Sequence, residues 1–277
     1  MATVGERLLS SAEVAELLGV SPASIKRWAD AGVLPCEKTA GAHRRFRREV
    51  VDRFRHAHEP AEAPADGSLA GRDPAGWADE LLADGETGML EAHLLAARAE
   101  LGSFWRVADR LGPALTEVGL RWQRQEIRVT DEHRASERLA RAIARLCAWM
   151  PAPLAPPRCL LATASGEEHT LGLSLVELCL CERGWAPVWI GRSAPMDDVA
   201  EAVARLDVRL CALSASAWSS HPRKLAAEAE QLGLACSAYG VQLVLGGRGA
   251  WPERPAYGRV IRDFATFTEL LATLGGL

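Results

Sequence analysis

The sequence predicts a multidomain chain that is all-α in its first half and α/β in its second. At 277 residues it exceeds the usual length of one domain. Apolar residues recur at helical spacing as far as residue 152, whereas short apolar runs alternate with helical segments from residue 153 onward. A stretch rich in Pro, Ala and Gly lies between His58 and Trp77. We therefore expect domains over 1–58, 77–152 and 153–277, with a flexible linker over 59–76.

Charge and cysteine content limit the possible partners. The formal net charge is -4, but residues 1–58 hold ten Lys or Arg against seven Asp or Glu, so only this segment suits a polyanion. Seven cysteines, an odd count with no signal peptide before them, favour reduced thiols and a cytoplasmic location. No apolar run reaches the roughly 18 to 20 residues that cross a bilayer, so we expect no membrane partner.

Two short helices are predicted near the amino terminus. Ser10-Ser11 precedes an apolar helical stripe, and Ser21-Pro22 opens a second helix that buries Ile25 and Trp28. Two such helices joined by a tight Gly-Val turn are typical of a helix-turn-helix, whose second helix enters the major groove. Its outward polar residues are Ser24, Lys26 and Arg27.

A basic hairpin follows over residues 38–48. Phe46 is available to anchor it on the core, and its candidate phosphate contacts are His43, Arg44, Arg45 and Arg47. From Leu9 to about Phe54 the segment resembles the winged helix-turn-helix of the MerR family, including the GAHRRF stretch. We expect it to bind double-stranded operator DNA, and a weak grip by one copy implies a homo-oligomer on repeated sites.

The middle of the chain predicts a four-helix bundle. Apolar residues recur at helical spacing over 81–83, 89–97, 104–120 and 136–150, with Gly or Pro between them. Trp122 is followed, after nine residues, by Glu132-His133. Taken alone, this pattern fits a core tryptophan with a solvated rim.

The last part predicts a flavodoxin-like or Rossmann-like domain with a five-stranded parallel sheet. The loops after its first, third and fourth strands should meet at the carboxyl edge, where such sheets bind ligands. They carry Glu167, His169 and Gly172, then Ser214 and Ser216, then Gly246 and Gly247. Glu167 could orient the imidazole of His169 as a metal ligand. Alternatively, His169 caps the following helix, and the serines and glycines only form tight turns.

The spacing of these residues favours the ligand interpretation. The pattern resembles the cobalamin-binding domain shared by methionine synthase and the adenosylcobalamin mutases. It consists of Glu-x-His-x-x-Gly, a gap of forty-one residues, Ser-x-Ser and, further on, Gly-Gly. The resemblance implies that His169 is the lower axial ligand of cobalt and that the displaced nucleotide tail passes Ser214 and Gly246-Gly247. Glu167 stands where those proteins carry Asp, and Ser216 stands where Leu is common.

The order of the three parts resembles the CarH family of light-responsive repressors over essentially the whole chain. That resemblance implies that adenosylcobalamin supports a dimer or tetramer that represses in the dark, and that light breaks the cobalt–carbon bond. It also implies an upper face of the corrin covered by Trp122, Val129, Glu132 and His133. Relatives commonly carry His directly after the Trp, but this chain has Gln123, which puts a second histidine ligand after illumination in doubt.

Three other interpretations stay open. The same scaffold could sense cobalamin level or redox state without light. A corrinoid enzyme subunit is disfavoured because a substrate barrel would need about 250 further residues. A haem or bilin pocket gains nothing from Cys179 and Cys181, which fall in a predicted helix and fit a core better than a ligand set.

Overall fold

The computed structural model describes residues 8–18, 22–30, 34–39, 41, 43–58, 69–85, 87–218 and 221–275. The N-terminal domain, over the residues described, has three helices and a small antiparallel sheet in the order β1-β3-β2. Its elements are β1 (Leu9–Ser10), α1 (Ser11–Leu18), α2 (Pro22–Asp30), β2 (Glu37–Lys38), β3 (Arg44–Phe46) and α3 (Arg48–His58).

Local chemistry accounts for these boundaries. The Ser10 amide donates to the Glu13 carboxylate at 2.8 Å, and the Glu13 amide donates to Ser10 Oγ at 3.3 Å. These two reciprocal hydrogen bonds cap the amino-terminal end of α1. Pro22 is the first residue of α2, where its missing N–H costs no helical hydrogen bond. Phe46 is fully buried in the core with Ile25 and Trp28, so it anchors the hairpin as expected.

The helical middle is the expected bundle of four helices. They are α4 (Pro74–Leu82), α5 (Thr87–Leu101), α6 (Phe104–Gln123) and α7 (Val129–Trp149). α7 begins before the predicted start at Ser136, because the Asp131 carboxylate accepts from the Arg128 amide at 3.0 Å and caps an earlier turn.

The predicted linker over 59–76 is too long at its carboxyl end. Leu69 is buried in the bundle core, and Asp73 accepts from the Gly76 amide at 2.8 Å to cap α4, with Pro74 in the first turn. The Asp-Pro pair that starts this helix lies in a stretch whose Pro, Ala and Gly content is typical of a linker, so composition alone hid the helix start. Residues 59–68 lie outside the described residues, so the linker stays a prediction there.

The C-terminal domain is the expected five-stranded parallel sheet, in the order β5-β4-β6-β7-β8. Because the chain moves outward from β4 to β5 and returns to β6 on the other side, the carboxyl ends of β4 and β6 flank a crevice. The elements are β4 (Arg158–Thr163), α8 (Leu171–Glu182), β5 (Ala186–Gly191), α9 (Met196–Arg205), β6 (Leu210–Ser214), α10 (Pro222–Ala238), β7 (Gln242–Gly246), β8 (Arg259–Val260) and α11 (Phe264–Gly275).

The bundle packs on one face of this sheet. One buried cluster combines Leu111 and Leu139 of the bundle with Leu178 of α8 and Leu271 of α11. The carboxylate of Glu182, at the end of α8, accepts from the first amide of α6 at 2.8 Å and pairs with Arg98 at 3.0 Å. Among the residues that the structure describes, no helix is long and apolar enough to cross a membrane.

Candidate functional site

The crevice between β4 and β6 brings together three of the predicted residues. Glu167 Oε1 lies 2.6 Å from His169 Nδ1 and accepts from the His169 amide at 2.8 Å. Its Oε2 accepts from the Ser216 amide at 2.6 Å, which joins the loop after β4 to the loop after β6. The Ser216 hydroxyl lies 3.4 Å from His169 Nδ1. Glu167 and His169 lie in the loop after β4 and Ser216 lies in the loop after β6, and we call these three residues the lower loops.

Electrostatics fix the state of this carboxylate. Burial opposes ionisation of Glu167, whose side chain is 1% exposed, but hydrogen bonds from Ser216 and His169 outweigh burial and lower its pKa from 4.5 to about 2. The ionised oxygen therefore accepts a proton held on Nδ1, so the lone pair of the neutral imidazole is on Nε2. The His169 side chain is 63% exposed, and within the described residues its ring hydrogen-bonds only through Nδ1.

The helix-cap interpretation of His169 is wrong. The N-cap of α8 is Thr170, and the His169 ring is directed to Glu167 instead. A buried carboxylate on Nδ1 and an exposed Nε2 form the donor arrangement that proteins use for a metal-binding histidine. This donor set, a single imidazole, fits the one histidine ligand to cobalt that the resemblance to cobalamin-binding domains implies.

Two polar residues that sequence reasoning missed hold this loop in place. The Thr163 hydroxyl donates to the Glu167 carbonyl at 2.8 Å and accepts from the Ser193 amide at 2.8 Å. Ser193 Oγ in turn accepts from the Gly166 amide at 2.9 Å. The only available signal was Thr163 directly after the apolar run from Cys159 to Ala162, because Ser193 reaches the loop through tertiary structure.

The predicted small residues line the same edge of the sheet. A Cβ on Gly172 would lie 3.8 Å from Ser214 Oγ, so the start of α8 and the end of β6 are close. Gly247 has φ +76°, and a Cβ there would lie only 2.4 Å from the Ala215 carbonyl oxygen. The Trp251 indole donates to the Gly246 carbonyl at 2.7 Å. Close packing within the chain therefore requires Gly247, whatever it also does for a ligand.

The other predicted residues lie at the turn between α6 and α7. We call Trp122, Val129, Glu132 and His133 the upper rim. Trp122 is 46% exposed and Val129 is 47% exposed, which leaves apolar surface in water. Glu132 is 2.5 Å from His133 Nδ1 and accepts from the Ser136 hydroxyl at 2.7 Å. Among the described residues, hydrogen bonds join members within each group and none joins the upper rim to the lower loops.

The packing of α6 and α7 along α8 puts the upper rim toward the end of α8 where the lower loops lie. The bond from the Phe104 amide to Glu182 ties the start of α6 to the end of α8, and Cys147 of α7 hydrogen-bonds to Cys181 of α8. That bond, together with burial, raises the pKa of the Cys147 thiol. α6 and α7 have 20 and 21 residues and α8 has 12, so each of the two bundle helices is at least about 12 Å longer than α8, and the turn between them lies toward the start of α8.

The predicted DNA-binding residues are only partly available. Lys26 and His43 are exposed, and Arg45 is half-buried. Arg44 pairs with Asp30 at the end of α2, and this hydrogen bond lowers the pKa of Asp30. Arg44 therefore fastens the hairpin to α2. Arg47 lies 2.8 Å from Glu37, whereas the side chains of Ser24 and Arg27 lie outside the described residues.

Comparison with known proteins agrees with this division of the chain. A helix-turn-helix domain family matches residues 8–58, and a B12 binding domain family matches residues 79–146, which is the bundle. The monomethylamine corrinoid protein of Methanosarcina barkeri has a similar fold, with a TM-score of 0.51 and 15% identity over 71% of this chain and 95% of that one. The fold of bundle plus α/β sheet is therefore confirmed.

Two curated relatives are transcriptional repressors. DcmR of Methylorubrum extorquens is 42% identical over 64 residues, which are 23% of this chain and 24% of DcmR. CarA of Myxococcus xanthus is 30% identical over 163 residues, which are 58% of this chain and 54% of CarA. The chain thus spans about half the length of CarA and about a quarter of DcmR. It carries a helix-turn-helix domain followed by a B12 binding domain, and it is similar to repressors.

Proposed function

We propose that this protein is a transcriptional repressor that binds double-stranded operator DNA as an adenosylcobalamin-dependent homo-oligomer and is released by light. The observation that carries the proposal is the His169 imidazole, held through Nδ1 by the ionised Glu167 carboxylate. In a chain that also carries a helix-turn-helix domain, such a site suits a sensor.

The lower loops would hold the cofactor. His169 Nε2 would ligate cobalt from below, while Glu167 and Ser216 keep the ring in one orientation and one tautomer. Ser214 lies close to Gly172 and pairs with Gly246 in the sheet, at the edge that the nucleotide tail would pass. Residues that are already hydrogen-bonded lose little freedom on binding, which favours affinity.

The upper rim would report which ligand is present. When bound, adenosylcobalamin supplies a cobalt–carbon bond that green light breaks, with loss of the adenosyl group. Trp122 and Val129 would bury their exposed apolar surface against that group and so hold the end of α6 and the start of α7 in one position. Without it, that gain is lost and the helices favour another position. Glu132 and His133 supply polar contacts on the same rim.

Oligomerisation would convert this change into control of transcription. A single helix-turn-helix makes few phosphate contacts, here through Lys26, His43 and Arg45. Several copies in one dimer or tetramer bind with a much higher effective concentration. A ligand that stabilises the oligomer therefore strengthens DNA binding by linkage.

Absorption spectra and size-exclusion chromatography of the purified protein test this proposal. With adenosylcobalamin in the dark we expect a bound, histidine-ligated corrinoid and an oligomer, and after illumination a changed spectrum and a smaller species. If the protein retains no corrinoid after mixing with micromolar adenosylcobalamin, the proposal is overturned.

A second candidate is a cobalamin-level sensor that does not use light. Gln123, the last residue of α6, favours it, because an amide cannot replace histidine as a second strong ligand after illumination. In that case the oligomer forms with adenosylcobalamin and keeps its size after illumination, whereas protein without the cofactor stays dissociated.

A further inference from the structure

The N-terminal domain is docked on the carboxyl-terminal end of α7 by three aromatic rings. Trp149, the last residue of α7, lies 4.9 Å from Trp28 of α2 in an edge-to-face arrangement and 5.4 Å from Phe54 of α3. Trp28 and Phe54 are themselves 5.4 Å apart. The Trp28 indole also donates to the Ala148 carbonyl at 3.1 Å. We call Trp28, Phe54 and Trp149 the aromatic joint.

The joint is part of the core of the N-terminal domain. Trp28 and Phe54 are 5% and 7% exposed, and Trp149 packs against the cluster that contains Ile25 and Phe46. A tryptophan contributed by one domain to the core of another resists sliding, because aromatic pairs have preferred geometries. The docking therefore fixes an orientation of α2 relative to α7.

The helix that carries the joint also carries the upper rim. Glu132 and Trp149 are at opposite ends of α7, about 25 Å apart along its axis. α7 contains neither Pro nor Gly, whereas α6 contains Pro113, Gly112 and Gly119. Kinks form at Pro and Gly, so α7 is the less easily kinked of the two helices.

The docking leaves the DNA-facing side of α2 free. Trp28 faces the joint and is buried, while Lys26, two residues earlier on the helix, is exposed. Residues two apart point to nearly opposite sides of a helix. The aromatic joint can therefore orient the N-terminal domain without covering the side of α2 that carries Lys26.

We propose that α7 is a rigid lever that carries a change at the upper rim to the DNA-binding helix through Trp149. The docking itself follows from the contacts, whereas the coupling rests on the proposed function of the rim. Ligand binding at Glu132 and His133 would displace α7 as a unit, and the N-terminal domain would turn with it because its core includes the end of that helix.

Hydrogen–deuterium exchange of the full chain tests both parts. Without ligand, Trp149→Ala should speed exchange of α2 and α3 peptides by about tenfold. Trp105→Ala, which removes an indole from α6 away from the joint, should leave them unchanged. Trp149→Phe keeps an aromatic ring, so α2 and α3 peptides should exchange more slowly in it than in Trp149→Ala. This variant replaces the alanine variant in the test if Trp149→Ala folds poorly. Equal α2 and α3 exchange in Trp149→Ala and the wild type would overturn the docking.

The coupling is tested by adding adenosylcobalamin in the dark. We expect α2 and α3 exchange to change in the wild type, and this change to vanish in Trp149→Ala although the bound-corrinoid spectrum stays the same. A change that survives in Trp149→Ala would overturn the lever. Protein that retains no corrinoid would overturn the proposed function and the coupling together, while the ligand-free comparison would still decide the docking.

Discussion

The lower loops and the upper rim prepare for a ligand in opposite ways. Below, Glu167 is buried, ionised and hydrogen-bonded to both His169 and Ser216 before any ligand arrives. Above, Trp122 and Val129 leave nearly half of their surface in water. A binding site needs one rigid side to define its geometry, and a sensor needs one side whose position depends on the ligand. In the proposed function, this difference assigns ligation of the cofactor to the loops of the sheet and signalling to the bundle.

Replacing His169 should have the largest effect on the lower side. In His169→Ala we expect loss of the histidine-ligated corrinoid spectrum and at least about a hundredfold weaker corrinoid binding. The fold should stay intact, because this side chain is 63% exposed. Titration of the absorption spectrum together with circular dichroism measures both, and unchanged ligation in a folded variant would contradict the assignment.

Glu167→Gln should weaken corrinoid binding by about ten- to a hundredfold while leaving His169 in place. The amide keeps the shape but lacks the charge that favours a proton on Nδ1. Glu168→Gln is the matched control, because Glu168 is exposed and pairs with Arg192 outside this network. Equal affinities of the two variants would contradict a role for the buried carboxylate.

The same residue predicts a pH dependence of the unfolding free energy. The pKa of Glu167 is about 2 in the folded chain against an ordinary 4.5, so its ionised form stabilises the fold at neutral pH. This contribution, roughly 3 kcal/mol, should be lost as pH falls from 4.5 towards 2. Urea unfolding at about pH 5 and about pH 3 should show a smaller loss for Glu167→Gln than for the wild type.

Gly247→Ala should test whether the edge of the sheet needs its close packing. The added Cβ meets the Ala215 carbonyl at 2.4 Å in a left-handed conformation, so we expect a loss of about 2 to 4 kcal/mol. Gly240→Ala has φ +67° but open space, and should cost only about 1 kcal/mol. Thermal unfolding compares them, and equal costs would show that the clash relaxes.

Trp122→Ala should have the smallest effect on stability, because this side chain is already half-exposed. Its expected effect is a few-fold weaker binding of adenosylcobalamin with unchanged binding of hydroxocobalamin, which lacks the adenosyl group. Titrations with both corrinoids measure the ratio. An equal loss for both forms would place Trp122 against the corrin alone and contradict the signalling side of the comparison.

Sequence patterns predicted most of the fold because the helices and strands carry their own hydrophobic periodicity, and several helices also carry a start signal such as Ser10 or Asp73. They also predicted the contact between Glu167 and His169, since two residues in one loop after a buried strand have few other positions. They did not predict the Arg44–Asp30 pair or the Trp149–Trp28 contact. Arg44 looks like any other basic hairpin residue, and Trp149 lies 121 positions from Trp28, so only tertiary structure brings them together.

The most direct test of the account is whether a nitrogen of His169 ligates the cobalt. Electron paramagnetic resonance of protein loaded with cob(II)alamin and labelled with ¹⁵N only at histidine distinguishes the two possible axial nitrogens. A ¹⁵N ligand splits each cobalt line into a doublet, whereas the ¹⁴N of the cofactor's own benzimidazole gives a triplet. We expect doublets, and their disappearance in His169→Ala; triplets in the labelled wild type would contradict the account.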